Sequence, residues 1–92
     1  MYQNEEGSSM RYLIMCRSLT YAQRAAKVLE RTGINAGVTK APKLAAGNGC
    51  GYCVSVWYGG GILAADILRR EGLLQGKIFE QSTDGTLREV HL

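Results

Sequence analysis

The residues of this chain best equipped for chemistry are its three cysteines, Cys16, Cys50 and Cys53. Cys50-Gly51-Tyr52-Cys53 is a C-x-x-C, a spacing used both by redox dithiols and by zinc ligands. A zinc cage needs four ligands, and the only further soft candidate is His91 near the end of the chain, so no metal is expected. A thioredoxin-like dithiol sits where a strand gives way to a helix. Here the motif instead runs into the β-prone stretch Tyr52 to Tyr58, and the only proline, Pro42, precedes it. Cys50 stands apart from the other two because Gly49 and Gly51 flank it. Glycines on both sides let the backbone enter a narrow cleft and turn N–H groups toward an anion. A thiol that passes a group to a partner must be ionised near neutral pH and reachable, and such a loop suits both needs. Cys16 and Cys53 lie in apolar runs, where a cysteine is most often a small core residue and burial disfavours the thiolate.

Two other motifs are weaker. Gly59-Gly60-Gly61-Ile62-Leu63-Ala64 satisfies G-x-G-x-x-A between a strand and a helix, but a dinucleotide fold needs more parallel strands than this length supplies. Gly49-Cys50-Gly51-Tyr52 echoes the third-strand motif of RNA-recognition domains. Asn48 replaces its leading basic residue and Cys50 one of its stacking aromatics, so nucleic acid is not the expected partner. The net charge of +3 comes from scattered basic residues and imposes no anionic partner.

The elements that must position these thiols follow from periodicity. Residues 1–9 are polar and read as a flexible leader, with no export signal. Tyr12 to Cys16 reads as a buried strand. Ser18 or Thr20 can cap the helix that follows, and Thr20 with Gln23 fits a capping box. Ala22, Ala25, Ala26 and Leu29 mark its apolar face, and Gly33 ends it. Ile34 to Lys40 is a second strand and Lys43 to Gly51 a loop; Tyr52 to Tyr58 is a third strand. Ile62 to Glu71 is a second helix ended by Gly72, and Lys77 to Glu80 a fourth strand. Residues 81–92 form a tail in which Asp84-Gly85 signals a two-residue hairpin leading to a fifth strand, Leu87 to Val90. That register would set Glu80 against Glu89, a repulsive pair that argues against it.

The two helix ends share the pattern Leu-x-Arg-x-Gly-apolar, in Leu29 to Ile34 and again in Leu68 to Leu73. With the order of elements, it predicts two βαβ halves and an α+β, ferredoxin-like β-α-β-β-α-β domain over residues 10–80. Both helices lie on one face of an antiparallel sheet. In that topology the end of strand one lies beside the start of strand three. Cys16 then sits near Cys53, with Cys50 in the loop above and the first helix's N-terminus at the same end. Arg17 and Lys43 would add positive charge there.

Tyr12-Leu13-Ile14, Ser18-Leu19-Thr20 leading into the first helix, Leu29-Glu30-Arg31-Thr32-Gly33-Ile34, Pro42-Lys43, and the small-polar loop ending in Asn48-Gly49-Cys50-Gly51 together resemble a family of small bacterial selenium/sulfur carrier-like domains. The resemblance spans about residues 10–80, and Cys-Gly after the Pro-Lys loop is its specific element. It implies that Cys50 accepts sulfur or selenium as a persulfide or selenopersulfide. It implies neither a cofactor nor independent catalysis: a carrier rather than an enzyme, serving a chalcogen donor such as a cysteine desulfurase and an acceptor protein. Family members usually hold an apolar or small residue at the position of Cys53, so a second thiol here introduces a resolving cysteine as an alternative. Two further readings stay open, a thiol–disulfide redox or sensor module using Cys50 and Cys53, and a non-catalytic ligand- or RNA-binding domain. An odd number of cysteines without an export signal points to a reducing, cytoplasmic setting, and no apolar stretch is long enough to cross a membrane.

Overall fold

The computed structural model describes residues 10–43, 51–74 and 76–92; the expected leader at residues 1–9, and Gly49 and Cys50, lie outside the described residues. The chain runs β1 (Arg11–Met15), α1 (Leu19–Arg31), β2 (Ala36–Lys40), β3 (Tyr52–Trp57), a single 3-10 turn (Tyr58–Gly60), α2 (Gly61–Arg70), β4 (Ile78–Gln81) and β5 (Leu87–Val90). The five strands form one antiparallel sheet in the order β2-β3-β1-β4-β5. Each helix therefore joins two strands that flank a third: α1 spans β3, and α2 spans β1. No described helix is long and apolar enough to cross a membrane.

The pleat divides the core in two. Tyr12 and Ile14 of β1, Val54 and Val56 of β3, and Ile78 of β4 face the helices, where Ala22, Ala25, Ala26 and Leu29 of α1 meet Ala64, Ala65, Ile67 and Leu68 of α2. The many alanines let both helices lie close to the sheet, and the branched residues fill the space between. Leu13, Met15 and Cys53 form a second, smaller cluster on the other face, with Ala41, Phe79 and Leu87 packed against it. Leu13, Ile14, Leu29 and Leu68 are wholly buried. Each such side chain contributes about 1.5–3 kcal/mol relative to an exposed position.

Both helices end in the same way. In α1 the Ile34 N–H donates to the Leu29 carbonyl (3.0 Å) and the Gly33 N–H to Glu30 (3.0 Å). In α2 Leu73 donates to Leu68 (2.8 Å) and Gly72 to Arg69 (3.3 Å). Gly33 and Gly72 hold φ of +85° and +73°, the left-handed values this reversal requires. The shared Leu-x-Arg-x-Gly-apolar pattern is thus a matched pair of Schellman stops, each burying the apolar residue just past the glycine.

The start of α1 differs from the expected capping box. Ser18, not Thr20, is the cap: its Oγ accepts from the Tyr21 N–H (3.3 Å). Tyr21 then occupies the third helical position, where a box needs Glu or Gln.

The tail does form a hairpin, in a register one residue away from the expected one. Gly85 takes φ +90°, the Gly85 N–H donates to the Ser82 carbonyl, and Ser82 N–H donates to Thr86. The loop is therefore three residues with a left-handed glycine, not a two-residue Asp84-Gly85 turn. The added residue sets Glu80 opposite Arg88 rather than Glu89, and the two form an ion pair at 2.5 Å. The repulsion that argued against the strand is replaced by attraction.

Two predictions follow from this packing. A Cβ on Gly61 would overlap the Tyr12 ring, whereas one on Gly37 meets nothing within 4 Å. Gly61→Ala should cost about 1–3 kcal/mol, as overpacked cores do, and Gly37→Ala should cost nothing, when both are compared by urea denaturation. In the hairpin, the Thr86 N–H donates to Asp84 Oδ1 (2.9 Å), and this bond, joined by one from the Thr86 side chain, holds the Asp84 carboxyl below its ordinary 3.8. A carboxyl lowered on folding stabilises above its unfolded value and loses that contribution as pH falls through the folded value. The stability difference between the native chain and Asp84→Asn should therefore be constant at neutral pH and change only below about pH 4.

Candidate functional site

The end of the sheet where β1 finishes and β3 begins carries the candidate site. Met15 is the cross-strand partner of Cys53, and the Cys16 N–H donates to the Tyr52 carbonyl (3.4 Å). Cys16 and Cys53 thus share this end, as the topology requires. Their side chains do not converge. Residues directly opposite each other point to the same face, so Met15 and Cys53 lie together and Cys16, one residue on, must point the other way. Cys16 joins the helix-side core, its Sγ donating to the Ile14 carbonyl (3.6 Å). Cys53 joins Leu13 and Met15 on the opposite face and is wholly buried. Cys16 and Cys53 therefore meet at the expected end of the sheet with their side chains in the cores on its two faces, and Cys50 lies outside the described residues.

The loop that carries Cys50 leaves and re-enters the sheet at this same end. Its arms are pinned together by the Ala41 N–H, which donates to the Gly51 carbonyl at 2.7 Å. This bond extends the β2–β3 ladder one step past Lys40 and Tyr52. Ala41 packs on the cluster of Leu13, Met15 and Cys53, so the loop's first arm is anchored by apolar contact as well. Gly51 and Lys43 are exposed. Among the described residues no group of three or more His, Cys, Asp or Glu is placed to hold a metal ion.

Across the end of β1, Ser18 caps α1 and the first helical N–H groups face outward, so this corner carries partial positive charge. Arg17 is exposed, with its guanidinium 5.5 Å from the centre of the Tyr21 ring; Arg24 lies on the same ring at 5.7 Å. Tyr21 escaped the sequence reading. Its spacing, three residues before Arg24 on α1 and four after Arg17, which precedes the Ser18 cap, was available as a signal. The stacking restrains Arg17 without burying it, one residue past Cys16, whose N–H bonds Tyr52.

The glycine run before α2 has a packing explanation. Gly61 sits against the Tyr12 ring, and Gly59 against the Trp57 ring.

The burial pattern fixes an expected reactivity. Native alkylation with iodoacetamide should leave Cys16 and Cys53 unmodified, and both should react once urea exposes them. Replacing wholly buried Cys53 by Ser should cost about 1–3 kcal/mol, because a hydroxyl enters an apolar cluster; Cys53→Ala should cost less. Peptide mapping and denaturation curves check these outcomes.

A family model described as "Putative Se/S carrier protein-like" matches residues 11–80. Comparison with curated proteins and with solved structures finds no match.

Proposed function

The chain belongs to the Se/S carrier protein-like family, and from that premise we propose that Cys50 is the thiol that holds the transferred sulfur or selenium. The observation that carries the reading is the family match itself, which spans most of the chain and includes the Cys50-Gly51 pair. The scaffold is read as a ferredoxin-like β-α-β-β-α-β unit with β5 added beside β4. The described arms of the β2–β3 connection that carries Cys50 lie at the end of the sheet where α1 begins, and Arg17 and Lys43 are exposed there. These cationic groups favour a thiolate and a persulfide anion.

The step is a redox-neutral exchange. The Cys50 thiolate attacks the outer sulfur of a donor's persulfide. A new S–S bond forms at Cys50, the donor's S–S bond breaks, and the donor leaves as a thiolate. The acceptor reverses the step at its own nucleophile. Gly49 and Gly51 let the loop enter the donor's cleft. The donor is a persulfide-forming enzyme of the cysteine desulfurase type, and the setting is a reducing one.

The rival is a Cys50–Cys53 dithiol. In that scheme Cys53 attacks the Cys50 persulfide, forming a disulfide and releasing hydrosulfide. It requires a thiol that is wholly buried between Leu13 and Met15 to leave that cluster. Cys53 is therefore assigned to the core, where a cysteine serves as a small apolar residue.

The deciding experiment incubates the chain with a cysteine desulfurase and isotopically labelled cysteine and reads the intact mass. The native chain and Cys53→Ala should each gain one sulfur atom, and Cys50→Ser none. A native chain that ends as a disulfide two hydrogens lighter, while Cys53→Ala keeps the added sulfur, would establish the dithiol instead, and a full gain in Cys50→Ser would overturn the assignment.

A further inference from the structure

We propose that the outer edge of β2 is a docking site for an extended, acidic segment of a partner protein, added as a sixth strand. The inference does not rest on the chemistry at Cys50.

β2 is the edge of the sheet, bonded on its inner side to β3. The Ala41–Gly51 bond fixes which residues face inward: Ala41, Thr39 and Gly37 turn their backbone groups to β3. Antiparallel pairing alternates, so Ala36, Val38 and Lys40 present N–H and C=O groups outward. Among the described residues no strand pairs with them. Natural edges are commonly blunted by charge, proline or a bulge, yet β2 reads Ala-Gly-Val-Thr-Lys and carries its single charge at the last position.

A groove runs along each side of this edge. On the helix side it is lined by Gln23, Arg24, Lys27 and Arg31 of α1 together with Val38. On the other side it is lined by Asn35, Thr39, Ser55 and Trp57. An added strand would send alternate side chains into the two grooves while its backbone pairs with β2, which is the pattern of strand addition.

One groove holds an anchor. Trp57 is 59% exposed, an unusual state for so large an apolar residue. Its ring lies so close to the Gly59 backbone that a Cβ there would overlap it. One ring face is thus seated on the chain and the ring is held in place for a partner side chain, as tryptophan hot spots are.

Charge selects the occupant. Arg24, Lys27 and Arg31 line the helix-side groove against Glu30 and Glu71, and Lys40 lies exposed at the end of the strand. The ion pairs of the described residues use Arg69, Arg70, Lys77 and Arg88, so these four cations remain available to a partner. A second copy would bring the same basic rim against itself in a chain already at +3. An acidic strand meets it with opposite charge.

The test is a titration of the full-length, nitrogen-labelled chain with a capped peptide, Glu-Val-Glu-Phe-Glu-Val-Glu, followed by NMR. Its glutamates would face α1 and its apolar residues Trp57. The proposal expects saturable shifts at the Val38 and Lys40 amides and the Trp57 indole, with slowed hydrogen exchange at Val38. Lys27→Glu with Arg31→Glu, both on the exposed face of α1, should weaken binding about tenfold, as two reversed surface charges do. Cys50→Ser should bind as the native chain does, so failure of the carrier reading leaves this result standing. Any of four results would overturn the proposal. These are no saturation at millimolar peptide, equal binding by a peptide with lysine in place of glutamate, equal binding by one N-methylated along its pairing edge, or sedimentation showing that the chain alone dimerises through β2.

Discussion

Strand β1 is buried on both faces, and the rest of the molecule is arranged to make that possible. Tyr12 and Ile14 need the helices above them, and Leu13 and Met15 need the second cluster below. A strand apolar on both sides must be central, so β3 and β4 close on its two edges. Helices joining strands that flank a third then follow from connectivity: α1 must pass over β3 to reach β2, and α2 over β1 to reach β4. The requirement also dictates details at a distance. The Tyr12 ring presses against the first turn of α2, and only glycine at position 61 leaves room for it. A run that resembled a phosphate-cradling loop is thereby explained by what the central strand needs to bury.

The features legible in the sequence are those set by a few adjacent residues. Leu-x-Arg-x-Gly-apolar announced both helix stops because a Schellman ending is local: the glycine's left-handed backbone and the buried apolar residue lie five residues or fewer from the leucine they close on. The strands were legible as apolar runs, and the central pairing of β1 with β3 followed from their order. Features decided by one residue of register were not legible. A left-handed Gly85 adds one residue to the hairpin loop and exchanges Glu89 for Arg88 opposite Glu80. The same arithmetic governs the thiols. The end of the sheet at which Cys16 and Cys53 meet could be deduced, but the face on which each lies depends on Met15, not Cys16, being the partner of Cys53. A shift of one residue would have put both cysteines on one face.

The separation of the two core cysteines bears on what a carrier requires. A persulfide is a store of transferable sulfur only while no nearby thiol attacks it, because intramolecular attack ends in a disulfide and released hydrosulfide. Under the persulfide chemistry proposed for Cys50, that hazard turns on whether either of the other two cysteines can reach it. Here Cys16 is held in the helix-side core with its Sγ directed to the Ile14 carbonyl, and Cys53 is sealed between Leu13 and Met15. Exposing Cys53 would mean disrupting the cluster it forms with Leu13 and Met15, against which Ala41, Phe79 and Leu87 pack. The cysteine at position 53 thus occupies the place of an apolar or small core residue. Its volume and burial are those of a core residue, and the C-x-x-C spacing arises because a strand whose second residue is buried follows the Cys50-Gly51 pair directly in sequence.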